Sequence, residues 1–402
     1  MIGWRRISDT LRAERTSHSI MPGNENNARP KKSAYLSLYE KIREGILTGD
    51  YPYGSRLPSK RTLAADAGVS VITASHALLL LAEEGYIEGR ERSGSFVIYE
   101  GAGQSAAPEK DPERKDPGAS GTIHAADIPS SDDTPVSTDS AVTLSPTDFL
   151  PFSLYARTIR RVLSDRGEDI LKRGPNQGVP ELRGAISRYL ARNRGIHVLP
   201  EQILIGSGAE YLYGLIVQML GRDTVFGLED PSYEKIRLVY EANGAKCVLL
   251  PMGKHGIRSE ALKATDAGAL HLTPFRSYPS GITAGASKRR EYIEWAKKRD
   301  AVLVEDDVDS EFSVSGKPVD TLFSLSPERH VLYLKTFTHT IAPSMRCGYL
   351  LLPSGRYREY IEKIRFYSCT VPVFDQYVLA EFIESGEFER HLSRVRRMLR
   401  KK

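Results

Sequence analysis

The sequence predicts two domains: a small helical unit that ends in a two-stranded wing, then a larger α/β domain on a mainly parallel sheet. Three observations predict this. Between residues 33 and 100, three helical apolar patterns precede two short alternating runs. Between residues 101 and 145, large apolar side chains become sparse and Ala, Ser, Asp, Pro and Gly dominate, the composition of a flexible linker. From 146 to 402, strand-like runs alternate with helical ones, the pattern of a parallel sheet with helices on its faces. A chain of 402 residues also exceeds what one ordinary core serves.

The elements follow in order. Residues 1–32 are polar and read as an extension without a fold of its own. Tyr35, Leu38, Tyr39, Ile42 and Ile46 fall at helical spacing, and the Gly- and Pro-containing stretch 49–54 stops that helix. Ser59 is the expected N-cap of a second helix with Leu63, Ala64 and Ala67 inward, and Gly68 is the turn. Ser70 caps a third helix whose apolar surface is expected from Ile72, Ala74, Leu78, Leu79 and Leu81. Tyr86–Glu88 and Ser95–Ile98 alternate as two strands around a charged tip. In the larger domain, helices are expected at 180–194 and 286–299. Strands are expected at 202–205, 224–228, 246–250, 269–272, 301–304, 330–334 and 348–352.

Composition excludes several classes. Charged residues make up 27% and hydrophobic ones 40%, and no apolar run approaches the roughly 20 residues that cross a bilayer. The N-terminus lacks the apolar centre of a secretory signal. Cys247, Cys347 and Cys369 lie far apart without metal or disulfide spacing, so a reducing cytoplasm and no metal site are expected. The net charge of +5 says little, because residues 31–100 carry as many acidic as basic residues and the basic excess lies in 390–402. The case for nucleic acid rests instead on pattern. Three helices followed by a wing form a winged helix-turn-helix, whose third helix enters the major groove while the wing tip reaches phosphate.

That unit resembles the GntR superfamily. The matching residues are Gly54-Ser55-Arg56-Leu57-Pro58-Ser59-Lys60-Arg61, Leu63-Ala64, Gly68-Val69-Ser70, Thr73, Leu81, Glu84-Gly85-Tyr86-Ile87 and Arg92-Ser93-Gly94-Ser95-Phe96-Val97. The resemblance implies that Arg61, Ser70, Thr73, Arg90, Arg92 and Gly94 face double-stranded DNA. The chain departs at Val71, where many members carry Arg, which removes one expected contact.

The stretch after Phe149 resembles fold type I pyridoxal-phosphate aminotransferases, and with the head it looks like the MocR branch of regulators. The motifs are Asn176-Gln177-Gly178-Val179-Pro180, Gly206-Ser207-Gly208-Ala209-Glu210, Glu229-Asp230-Pro231-Ser232-Tyr233, the run Val304 to Phe312, and the run Thr336 to Arg346. The resemblance implies a phosphate cup from Ser207, Gly208, Ala209, Thr336 and Arg346. It further implies an aromatic over the pyridine ring at Tyr233 and a ring-nitrogen carboxylate at Asp306. His339 stands where the family places the lysine that binds the cofactor aldehyde, and imidazole has no primary amine for that link. Val308 stands where the family has a tyrosine. Lys335, four residues before His339, is expected not to reach the aldehyde. The small C-terminal domain with its substrate-binding arginine is expected to be missing.

These readings imply a DNA-binding regulator with no catalytic residue, in which pyridoxal phosphate is bound, if at all, without a covalent link. A homodimer and a small-molecule effector follow by resemblance. Two alternatives stay open: an aminotransferase with an accessory DNA-binding head, and a decayed regulator in which only the head functions.

Overall fold

The computed structural model describes residues 33–90, 93–100, 150–313 and 320–399. The expected N-terminal extension, the linker and Arg92 lie outside the described residues.

The head comprises α1 (Ala34–Thr48), α2 (Lys60–Asp66), α3 (Val71–Glu83), β1 (Ile87–Arg90) and β2 (Gly94–Val97). The two strands pair antiparallel, with Ile87 opposite Val97 and Arg90 opposite Gly94. Ser59 and Ser70 begin their helices as expected, because each short hydroxyl accepts an otherwise orphaned N–H, from Thr62 and Thr73. Such a cap contributes about 1 kcal/mol. Leu57, Leu63, Leu78 and Leu81 are buried in one core with Leu38, Tyr39 and Ile42 of α1.

The apolar face of α3 differs from expectation. Ala74, Ala77, Leu78, Leu80 and Leu81 are buried, whereas Ile72 is 72% and Leu79 54% exposed. The run Ala77 to Ala82 is apolar at every position, so sequence periodicity cannot fix the phase there. Packing against α1 and α2 fixes it instead.

In the larger domain, the strands are β3 (Ile203–Gly206), β4 (Val225–Asp230), β5 (Lys246–Gly253), β6 (Gly256–Ile257), β7 (Ala269–Leu272), β8 (Val302–Asp306), β9 (Val331–Thr336) and β10 (Gly348–Leu351). They form a sheet in the order β3-β10-β9-β8-β7-β4-β5-β6. Pairs among β5, β4, β7, β8 and β9 are parallel, while β10 runs antiparallel to both β9 and β3. The short β6 hairpin was not anticipated. Helices α4 (Phe152–Arg166), α5 (Pro180–Arg194), α6 (Ala209–Leu220), α7 (Glu234–Ala242), α8 (Ser259–Ala264), α9 (Ala286–Arg299), α10 (Leu322–Leu325), α11 (Tyr357–Ile364), α12 (Val373–Glu384) and α13 (Glu387–Leu399) complete the domain.

The sheet separates two cores. Ile203, Ile205, Leu270, Leu303, Val331, Tyr333 and Tyr349 face one, with α5, α9 and α12. Leu204, Phe226, Ala269, Val302, Val304, Leu332, Leu334 and Leu350 face the other, with α6, α7 and α11. Strand side chains alternate with period two, which assigns every residue at the strand ends to one face or the other.

The head is docked on the first turn of α9. Ala286 N–H donates to the Glu84 carbonyl at 2.8 Å, Glu100 N–H to Ser287 Oγ at 3.0 Å, and Arg290 to the Tyr99 hydroxyl at 2.8 Å. Arg43 of α1 pairs with Asp320 at 2.9 Å. Gly85 has φ +73°, and a Cβ there would stand 2.8 Å from the Gly285 Cα, so the two backbones touch. Ala286 belongs to the core of the head rather than to that of its own domain.

At the end of β4, the buried Glu229 carboxylate accepts from Thr273 N–H and Ser277 Oγ and so holds the loop after β7. Burial pushes its pKa up to about 7, against the lowering effect of these two donors. The folded state therefore holds this proton more tightly than the unfolded chain, where the ordinary value is 4.5. The contribution to stability is complete below pH 4.5 and is lost as pH rises through about 7, by about 3 kcal/mol at full ionisation. Both donors meet the same oxygen, so Glu229→Gln keeps them. The variant should lose less stability than the parent between pH 5 and 8 in denaturant titrations; an unchanged pH slope contradicts this assignment. Ala286→Arg should release the head, giving calorimetry a separate, earlier head transition where the parent unfolds in one. An unaltered single transition would mean that the dock contributes nothing.

Candidate functional site: a cup at the sheet edge and a basic helix–wing face

Strands β3, β9, β8, β7 and β4 run in one direction and end together at Gly206, Thr336, Asp306, Leu272 and Asp230. The crevice outside the carboxyl ends of such a sheet is where ligands of open α/β folds bind. Gly348 lies opposite both Gly206 and Thr336. Ser207 and Gly208 turn the chain from β3 into α6, which starts at Ala209. Gly208 has φ +94°, and a Cβ there would stand 2.9 Å from Arg346 Nη2, so only glycine leaves the guanidinium its place. The Ser207 hydroxyl bonds Thr370 Oγ1 at 2.7 Å. Arg346 is half exposed and 3.7 Å from Glu210, which itself pairs with Lys235 at 3.0 Å. Tyr233 precedes α7, 47% exposed and edge-on to Tyr278.

Asp306 shares its sheet face with Leu332 and Leu334, as does Thr336, two residues beyond Leu334. Its buried carboxylate accepts from the Tyr213 hydroxyl at 2.5 Å. His271 Nε2 lies 3.5 Å from the same oxygen and makes no hydrogen bond among the described residues, while its Nδ1 meets the Tyr240 hydroxyl at 2.9 Å. Sequence reading missed Tyr213 and His271 beside Asp306, and Tyr240 behind His271. The signal was weak: Tyr213 lies one turn beyond Ala209 on the inward face of α6, and His271 breaks an otherwise apolar strand.

The neighbours of Asp306 and Thr336 point the other way. Glu305 accepts N–H donors from Leu322 and Phe323 at 2.9 Å each, and burial pushes its pKa up to about 7. Lys335 is fully buried, its Nζ 3.2 Å from Glu311 and 3.4 Å from Asp307. Arg194 meets Asp307 at 3.1 Å and Ser310 at 2.7 Å, and the Tyr189 and Tyr333 hydroxyls donate to Glu311 and Asp307. Burial pushes the Asp307 carboxyl up, but Lys335 and Arg194 outweigh it and hold it far below the usual range. Burial pushes the Lys335 ammonium down, and Asp307 and Glu311 outweigh that and raise it. The Lys335 amine is thus charged, enclosed and on the opposite sheet face from Asp306 and Thr336.

His339 is 57% exposed in the segment after β9, with Nδ1 3.8 Å from Asp309. The carbonyl of its neighbour Thr340 is held by His391 of α13 at 2.8 Å. Val308 is half-buried. The residues present fit part of a pyridoxal phosphate group. A glycine turn lies against an arginine, and a buried carboxylate stands beside an unpartnered imidazole nitrogen. The amine of Lys335, the lysine nearest position 339 in the sequence, lies on the other face.

On the head, Lys60, Arg61 and Ser70 are exposed, and Thr73 is half-buried. Ser70 Oγ bonds Thr73 Oγ1 at 2.8 Å, so both hydroxyls sit at the first turn of α3. Arg90 lies over the Phe96 ring at 4.6 Å and 3.6 Å from Glu88. Gly94, φ +103°, lies against Arg56, whose Nε would be 3.0 Å from a Cβ there. Arg56 is a further cation of this face that sequence reading quoted without giving it a role. Its backbone bridges to Phe96, which fastens it to the wing. Among the described residues, no group of His, Cys, Asp and Glu is arranged to hold a metal, and no single helix is long and apolar enough to cross a membrane.

Comparisons with known proteins agree with this division. Residues 34–97 match the family described as bacterial regulatory proteins, gntR family, and residues 151–402 match aminotransferase class I and II. The chain is 31% identical over 373 residues to the uncharacterized HTH-type transcriptional regulator YdeL of Bacillus subtilis, covering 92% of this chain and 77% of that protein. It is 30% identical to the probable rhizopine catabolism regulatory protein MocR of Rhizobium meliloti, covering 90% and 74%, and 30% identical to the pyridoxine biosynthesis regulator PdxR of Corynebacterium glutamicum, covering 93% and 78%. Among solved structures, an archaeal alanine:glyoxylate aminotransferase superposes with TM-score 0.55 at 23% identity over 61% of this chain. A kynurenine aminotransferase of Pyrococcus horikoshii gives 0.57 at 24% over 63%. The chain spans 63% and 65% of the length of those two enzymes, which share the fold. The chain belongs to the GntR family of bacterial regulatory proteins, in the MocR-type branch that joins a winged helix-turn-helix to an aminotransferase class I and II domain.

Proposed function

We propose that this DNA-binding transcription regulator uses its aminotransferase-like domain to hold a phosphorylated ligand, pyridoxal phosphate by family likeness, without covalent attachment and without turnover. The observation that carries the reading is the placement of Lys335: its amine is locked in a buried ion cluster on the face opposite Asp306 and Thr336, while position 339 offers an imidazole. When bound, pyridoxal phosphate supplies an electron sink through its protonated ring nitrogen. Asp306, oriented by Tyr213 and His271, is placed to keep that proton. The backbone of Ser207, Gly208 and Ala209, the Thr336 hydroxyl and Arg346 hold the phosphate, and Tyr233 covers the ring. Glu210, 3.7 Å from Arg346, competes with the phosphate for that guanidinium.

The head contacts duplex through Arg61, Ser70 and Thr73 at the helix pair, and through Arg90, Arg92, Gly94 and the added Arg56 at the wing. The chain acts as a homodimer, since two heads on paired half-sites supply the specificity that one short helix lacks. A small-molecule effector acts at the cup.

Arg61→Ala should weaken binding to all duplexes alike and lower the slope of log affinity against log salt by about 1, since one phosphate contact is lost. An unchanged slope removes Arg61 from the interface. Pyridoxal phosphate should exchange completely on dialysis, and Arg346→Ala should weaken its retention at least about tenfold by removing a charge-assisted bond. Equal retention by both proteins would place the phosphate elsewhere.

A further inference from the structure

We infer that Val71 and Ile72, at the first turn of α3, read thymine methyl groups in the major groove. The inference rests on the DNA-binding reading above and adds what the helix recognises.

Ile72 is 72% and Val71 46% exposed, two adjacent branched apolar side chains at the start of the helix; Leu79, 54% exposed, stands alone two turns later. Neither serves the fold. The head core takes Ala74, Ala77, Leu78, Leu80 and Leu81 from this helix and leaves both out. Neither serves the dock. Its contacts lie at Glu84, Gly85, Tyr99 and Glu100, and the helix rise puts Ile72 roughly 18 Å from Glu84.

Charge selects the occupant of this surface. Among the described residues from Arg56 to Val97, the exposed Lys and Arg side chains are Arg56, Lys60, Arg61 and Arg90, and Ser70 and Thr73 adjoin the pair at the first turn. Among the described residues of α2, α3 and the wing, the exposed acids are Asp66, at the end of α2 that leads into α3, and Glu88, which faces Arg90. A second copy of this face would set the same cations against themselves, whereas a phosphate backbone complements them. Valine and isoleucine carry no donor or acceptor. The feature of a base edge that such side chains distinguish by contact is the thymine methyl, which projects into the major groove. The departure at Val71 therefore replaces a polar contact with an apolar one. Burying one methyl against Ile72 corresponds to about a fourfold gain in affinity.

The test uses the full chain and a pool of random-sequence duplexes from which bound sequences are enriched. Thymines of the enriched duplex are then replaced one at a time by uracil, which lacks only the methyl. One or two replacements per half-site should each weaken binding about fourfold. Ile72→Ala should abolish that discrimination, so that thymine and uracil duplexes bind it alike; its high exposure keeps the substitution out of the core, and the melting temperature checks this. An enriched duplex whose thymines all tolerate uracil overturns the inference, as does an Ile72→Ala variant that still discriminates. Uracil tolerance together with a loss of self-association in Ile72→Ala would instead make the patch a contact between copies, which also overturns it. Failure to enrich any duplex would sink the DNA-binding reading itself, a different outcome.

Discussion

Adjacent residues of a β-strand point to opposite faces of the sheet, and on β8 and β9 this constraint sorts the polar side chains of the larger domain into two separate groups. Asp306 and Thr336 face the cup side with Tyr213 and His271. Glu305, Asp307 and Lys335 face the other side, where Arg194, Glu311, Tyr189 and Tyr333 complete a buried ionic cluster. Moving the Lys335 amine to the cup would require a change of strand register or a break in that cluster. Breaking it leaves uncompensated charge in a low-dielectric interior, at a cost on the order of 3–5 kcal/mol. The same alternation that puts Asp306 and Thr336 on one face therefore puts the Lys335 amine on the other.

The strands that form the cup also support the head. Glu305, next to Asp306, fixes the start of α10 through Leu322 and Phe323, and Asp320 just before it pairs with Arg43 of α1. Gly285 and Ala286 open α9 against Glu84 and Gly85. The dock takes the C-terminal end of α3 and leaves its N-terminal turn exposed, while the orientation of the head is set by the larger domain.

Much of this was legible in the sequence. The seven runs expected as strands each overlap one, because a mainly parallel sheet buried on both faces writes itself as short continuous apolar stretches. Ser59 and Ser70 were readable as caps because a helix start needs a short acceptor. The phase of α3 was not readable, because Leu78 to Leu81 are chemically alike and only the neighbouring helices choose among them. Motif spacing singled out Asp306, Thr336, Gly208 and Arg346, which the fold gathers at the carboxyl end of the sheet. It was silent about Tyr213, Tyr240 and His271, which converge from α6, α7 and β7, and about Arg56, whose place at the wing depends on a long-range bridge to Phe96. The dock was illegible for the same reason. Contacts between residues 84–100 and 285–290 are tertiary and leave no periodic trace in either segment.

The central claim is that the Lys335 amine does not reach the aldehyde of a ligand seated in the cup. Borohydride reduction of the native protein with pyridoxal phosphate, followed by peptide mapping by mass spectrometry, tests it most directly. The account predicts that the peptide spanning Lys335 to Arg346 returns with its unmodified mass and that any adduct is confined to scattered surface lysines at low yield. A stoichiometric pyridoxyl group on Lys335 would contradict it.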